Sequence, residues 1–176
     1  MEINNCKAFP IFGQIVHNVY HVNTNFRLYF SSWTLFFDGS KSKYGVGAGC
    51  VLIDPKGTKW MIACKLEFEC TNNFAEYEAL VQGIKKEIDL RADSIQCYGD
   101  SEIIVKKVRN KIHCLSPHLL NYQKLVRDMM SSFKSFNIKY VPISQNFDVD
   151  LLANTTSRLI PPEGLTLDTF FIELMY

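Results

Sequence analysis

No stretch of this 176-residue chain approaches the roughly 18 consecutive apolar residues that a membrane-spanning helix needs. None of Cys6, Cys50, Cys64, Cys70, Cys97 and Cys114 forms a CxxC pair, which excludes a zinc knuckle and a dithiol redox motif. The start, MEINNCKAFP, lacks the basic and then apolar regions of a secretory signal. These absences predict an intracellular protein with reduced cysteines and no membrane partner. Neither sign of charge dominates: Lys+Arg 19 against Asp+Glu 18 leaves a net charge of +1. That balance excludes a histone-like polycation and an acidic tail, but not nucleic-acid binding, because a neutral total can hide a basic track. Walker loop, dinucleotide fingerprint and nucleophile elbow are all missing, as are internal repeats.

What is present is an ordinary globular composition, 47% hydrophobic and 21% charged, enough for one domain with a sizeable core. Residues 1–31 show no sustained period and are read as an N-terminal extension. From Trp33 the pattern sharpens. WTLFFD (33–38), VGAGCVLI (46–53) and WMIACKLEFE (60–69) read as three strands, the last two joined at the turn Asp54-Pro55-Lys56-Gly57. The period then becomes helical over 74–88, with Asn73 as N-cap and Glu76 three residues on, a capping-box pattern. SIQCYG (94–99) is a strand, SEIIVKKVRN a helix, and Ser116-Pro117 opens another helix through 133. A strand over 136–143 and a helix over 147–159 complete residues 32–160, with 161–176 as a C-terminal tail. The order predicts an α/β fold: a mixed five-stranded sheet, three antiparallel strands and then α/β crossovers, with helices on both faces.

Four acids stand out: Asp38 and Asp100 at strand ends, Glu76 in a first helical turn, and Asp150 among Val149, Leu151 and Leu152. An acid beside apolar neighbours is costly unless it is capped, paired or metal-bound. Converging at one end of a sheet, four carboxylates would call for hard divalent cations, and so for two-metal phosphodiester hydrolysis. Spacing alone leaves plainer roles open: capping for Glu76 and Asp100, a turn for Asp38, solvent exposure for Asp150.

The motifs resemble those of a type 1 ribonuclease H domain, of the kind found in plant retrotransposon polyproteins. WTLFFDGS with GVGAGCVLIDPKG resembles its opening hairpin, TNNFAEYEAL its Thr-Asn-Asn helix start, and CYGDSEIIVKKV its Asp-Ser strand end. YVPISQNFDVDLLANTTSR resembles its last motif, with Val149 in the usual alanine position and one extra leucine before Ala153. The resemblance covers about residues 33–159. It implies a metal-dependent endonuclease that cuts the RNA strand of RNA–DNA hybrids, leaving 5′-phosphate and 3′-hydroxyl ends. Asp38, Glu76, Asp100 and Asp150 would hold two Mg2+ ions, with Mn2+ as a substitute. Gly39, Asn72 and Asn73 would read the 2′-hydroxyl, and Thr71 would help hold a DNA-strand phosphate. The tail PPEGLTLDTFFIELMY resembles the stretch joining ribonuclease H to integrase, so reverse transcriptase and integrase domains of a parent polyprotein are implied partners. A catalytically inactive hybrid-binding module, or a retroelement remnant, is the alternative.

Residues 101–140 are basic, which beside a carboxylate cluster fits a phosphate backbone track that takes in Lys106 and Lys107; the plainer reading of such a run is a solvated face. Tyr98, Tyr122 and Phe136 are read as core rather than as stacking platforms. Three departures from the family pattern stand out. The loop PISQN has no histidine where many cellular members carry one; His113 and His118 lie elsewhere and read as surface residues. Glu102 and Lys107 replace glutamines that are usual in the family, and the closing helix reads NTTSR where alanine and leucine are common.

Overall fold

The computed structural model describes residues 32–66, 70–113 and 116–160, and the backbone of 169–175. The extension 1–31 lies outside the described residues. Strands β1 (Trp33–Ser42), β2 (Gly45–Ile53) and β3 (Lys59–Leu66) form the expected meander. Helix α1 (Asn72–Asp89), strand β4 (Ser94–Gly99), helices α2 (Glu102–Val108) and α3 (Pro117–Met130), strand β5 (Ser135–Tyr140) and helix α4 (Phe147–Ser157) follow. A 3-10 turn over Ile143–Gln145 precedes α4. The five expected strands form, and a sixth, β6 (Thr169–Met175), extends the sheet from within the segment read as a tail. The strand order is β5-β4-β1-β2-β3-β6, with β1–β4 and β4–β5 parallel and the other pairs antiparallel. Pairing with β3, from Leu66 opposite Thr169 to Trp60 opposite Met175, gives the β6 backbone the ladder that an isolated apolar run lacks.

Strand alternation assigns the two faces of the sheet. Leu35 and Phe37 of β1 are almost fully buried beneath α1, and α3 packs on α1 in turn. Asp38 and Ser40 point the other way, toward α4, which crosses β1, β2 and β3. Ala75, Tyr77, Ala79, Leu80, Val81 and Ile84 of α1 complete the core. Leu119 and Val126 of α3 are buried, while Tyr122, Leu125 and Met129 are half-buried against the core. Tyr122 packs edge-on to Phe74 and Phe136 tilts against Phe133, so these aromatics pack within the protein as expected. Tyr98 stacks on Phe36, with ring centroids 5.2 Å apart. Cys50, Cys64, Cys70 and Cys97 are thiols. No described helix is long and apolar enough to cross a membrane.

Two glycines set how closely the helices approach. A Cβ at Gly39 would stand 2.3 Å from the Glu76 nitrogen, and one at Gly47 would stand 2.3 Å from the Ala153 carbonyl oxygen. Backbone cannot yield there as a flexible side-chain tip can. Gly47→Ala is therefore expected to push α4 off β2 and cost about 2 kcal/mol, read as a lower midpoint in urea unfolding. An unchanged midpoint would show that α4 does not need this close approach.

Candidate active site

The parallel register of β1 and β4 pairs Phe37 with Gly99, so the next residues lie side by side: Asp100 just past the end of β4, and Asp38 inside β1 rather than at its end as the sequence suggested, because β1 runs on to pair with β2 as far as Ser42. Helix α1 starts beside them. Its N-cap is Thr71, whose hydroxyl accepts from the Phe74 N–H at 3.3 Å, not Asn73 as the sequence suggested. Thr71 can accept a hydrogen bond with the short reach an N-cap needs, and the helix starts two residues earlier, about half a turn. Glu76 consequently lies beyond the capping-box position, buried, with Oε1 accepting from Asn72 Nδ2 at 3.0 Å. The next cap is Ser101, whose hydroxyl accepts from the Ile104 N–H, so Asp100 does not cap α2. Asp38 lies within β1, which continues to Ser42, and is not a turn residue. The plainer roles for these three acids are thus excluded by the positions they occupy.

Asp150 is placed from the opposite face. Asn146, almost fully buried, donates from Nδ2 to the Phe37 carbonyl at 3.1 Å and fixes the start of α4 next to Asp38. One helical turn after Asp150, Asn154 donates to Asp150 Oδ1 at 2.8 Å and accepts from the Ser40 hydroxyl at 2.6 Å. At the far end of α4, Lys65, itself buried, donates to the Tyr44 and Ser157 carbonyls. A charged donor on the last carbonyls suits the negative end of a helix.

All four acids line one open cleft of about 550 Å3, with Gly39, Ser40, Lys41, Asn72, Ser101, Glu102, Ile103, Ile143 and Asn154. They line it without converging: among the described residues, no three acidic, histidine or cysteine side chains are grouped to hold one ion. The electrostatics shows what the arrangement lacks. Burial, then repulsion from Asp100 and Glu76, pushes Asp38 up to about 8, against the Gly39 N–H and with a further push from Asp150. Burial also raises Glu76 to about 7, with Asp100 adding to it and Ser101, Asn72 and Lys107 opposing. Glu76 Oε2 is buried with no hydrogen-bond partner among the described residues; Ser101 is near enough to favour the ionised form but falls short of bonding that oxygen. An all-oxygen donor set, short of positive charge and holding an orphaned carboxylate oxygen, fits hard divalent cations.

The other expected residues fall around this cleft in different ways. Gly39 and Asn72 line it, Thr71 caps α1 beside it, and Asn73 follows in the first turn. Lys106 pairs with Glu102 at 3.0 Å, while Lys107 is close enough to Glu76 to favour its charge. His113 and His118 are exposed. The sequence reading missed Ser40, Lys41 and Asn154. Period two from Asp38 marks Ser40, and the helical i+4 step from Asp150 marks Asn154, so both signals were available.

An RNase H-like α/β sheet with one acid inside β1 and another beside it, just past β4, defines an RNase H1-like domain, of the class related to retroviral and retroelement proteins. The chain belongs to the family described as reverse transcriptase-like, whose pattern matches residues 36–156. It is 31% identical to ribonuclease HI of Halobacterium salinarum over 121 residues, 68% of this chain and 61% of that protein. The crystal structure of RNase H1 from that archaeon superposes with a TM-score of 0.66 at 27% identity, covering 70% of this chain and 96% of that one. The N-terminal RNase H domain of a Mycobacterium tuberculosis protein gives 0.64 at 25%, covering 71% and 92%. The protease–reverse transcriptase of prototype foamy virus shares the fold alone, with a TM-score of 0.56 at 17% identity, over 74% of this chain and 21% of the viral one. The chain thus spans about three fifths of its archaeal sequence relative. The likeness to plant retrotransposons rests on the sequence motifs and not on these relatives.

Proposed function

We propose that this chain is a metal-dependent endonuclease that hydrolyses the RNA strand of RNA–DNA hybrids, leaving 5′-phosphate and 3′-hydroxyl ends. The observation that carries the reading is the gathering of acids from β1, α1, α4 and the end of β4 in one cleft, two of them buried and pushed well above the ordinary carboxylate range. Asp38, Glu76, Asp100 and Asp150 would hold two Mg2+ ions, with Mn2+ as a substitute. Such ions, when bound, lower the pKa of the attacking water and stabilise the leaving oxygen.

The chain's own residues do the positioning. Asn72 turns Glu76 and Asn154 turns Asp150, each through one hydrogen bond to a carboxylate oxygen. Gly39 lines the cleft beside Asp38, where a ribose would lie; Asn72 and Asn73 would offer amides to a 2′-hydroxyl, and Thr71 its hydroxyl to a DNA phosphate. Lys107 supplies positive charge behind Glu76, and Lys106 would add to it but for its pair with Glu102. Membership of the reverse transcriptase-like family supports a polyprotein origin, of the plant retrotransposon kind by its motifs, with reverse transcriptase and integrase as neighbouring domains.

A silent hybrid-binding module is the second reading, favoured by the open spacing of the acids. A strand-labelled hybrid incubated with the chain in Mg2+, in Mn2+ and in EDTA separates the two. RNA cuts that need metal and spare the DNA are expected. A folded sample that cuts in neither metal overturns the hydrolase and leaves the module, provided it still binds hybrid in a salt-dependent way.

A further inference from the structure

The cleft contains more than its four principal acids. Glu102 lines it as a fifth carboxylate, and Lys41 is the one lysine among its described lining residues. The two come from different elements: Lys41 lies on β1 three residues past Asp38, Glu102 at the first position of α2. Lys41 is exposed and has no ion pair to a described residue. Glu102 is engaged, pairing with Lys106 one helical turn on at 3.0 Å, with the two side chains 61% and 43% exposed. A pair so open to water contributes little to folding. Its consequence lies elsewhere, because an ammonium held by a neighbouring carboxylate is not available to a phosphate.

We infer that Lys41 is the phosphate-contacting cation of this cleft, and that Glu102 withholds a second by tethering Lys106, so that a nucleic-acid backbone enters on the β1 side and is repelled from the start of α2. This rests on the hybrid reading above and adds to it which wall carries the backbone. The charge balance requires some such asymmetry. Among the described residues that line the cleft, a polyanion meets five carboxylates and one cation, the exposed Lys41. Ile103 and Ile143, both more than half exposed, also line the cleft and supply no charge to offset Glu102.

The test is a titration of an RNA–DNA hybrid by the full chain in EDTA over a series of salt concentrations, read by fluorescence anisotropy. Lys41→Gln is expected to weaken binding about five- to tenfold and to reduce the salt slope by about one. Glu102→Gln is expected to do the opposite, tightening binding about five- to tenfold and steepening the slope by about one as Lys106 is released. Adding Lys106→Gln to Glu102→Gln should cancel that gain. A structural role would move both single variants the same way, and all these side chains are surface groups, so matching unfolding midpoints verify the fold. If the wild type binds hybrid while Lys41→Gln and Glu102→Gln both bind like it, the inference is overturned and the hybrid reading stands. If the wild type binds no hybrid at any salt, both fall.

Discussion

Asp38→Asn and Asp100→Asn should each lower RNA-strand cleavage by about a thousandfold or more, while hybrid binding without metal is kept or improved. Each change removes one anionic oxygen donor from the proposed ion site and one negative charge from a cleft that must accept phosphate. The stability effect has the opposite sign. Asp38 is raised to about 8 by burial and by the acids around it. Between the ordinary carboxylate range near 4 and about 8, the folded chain therefore keeps a proton that the unfolded chain has released. Stability from this group is full at acid pH, falls as pH rises through that window, and is lost above it. Without metal, Asp38→Asn should then exceed the wild type by on the order of 2 kcal/mol at pH 9, measured by urea unfolding in EDTA. Added Mg2+ should narrow that gap, since it stabilises only the chain that retains the donor. Cleavage by either variant at the wild-type rate would sink the assignment of that acid.

Glu87 is expected to give the largest gain in stability. It lies in the last full turn of α1, remote in sequence from the cleft, and is completely buried. Neither carboxyl oxygen has a hydrogen-bond partner among the described residues. Burial pushes its pKa up to about 9, and the buried Cys97 thiol nearby is itself raised, first by burial and then by Glu87. The group is therefore folded in as a neutral acid that has given up water and gained nothing polar. Glu87→Leu should raise stability by about 2–3 kcal/mol near pH 7. The difference should widen with pH. Wild-type stability falls between the ordinary range near 4.5 and about 9, as the unfolded carboxyl ionises freely and the buried one cannot, while the leucine variant has no such slope. Glu87→Gln keeps the shape and a polar head, so it should remove the slope while gaining less. Parallel stability–pH profiles for wild type and Glu87→Leu would show that this carboxyl already finds a partner.

Much of the site was legible because its chemistry is written in short local patterns. CYGDS places Asp100 at the end of an apolar strand, as found; WTLFF singles out Asp38 after an apolar run, although the strand continues past it to Ser42. Less legible were the features that depend on competition between neighbours. Asn73 and Asp100 both have good cap side chains, yet Thr71 and Ser101 take those positions, because the choice of cap follows where each helix meets the sheet. A strand over 169–175 was hidden for a related reason. Its apolar residues read as a loose tail until β3 offers them an unpaired edge.

The sequence by itself determined the alternation that separates the two sheet faces, the order of strands and helices, and the identity of the four acids. Those properties depend on neighbours a few residues apart, where period, turn chemistry and motif spacing act directly. Only the tertiary structure decided that Asp38 and Glu76 lose water together, that Asn154 bridges Ser40 to Asp150 across 114 residues of chain from Ser40, and that Lys41 shares a cleft with Glu102. Burial and charge coupling are set by which groups are brought within a few ångströms of each other. For this chain, that is fixed by the parallel register of β1 on β4 and by the two glycines that let α1 and α4 lie against the sheet.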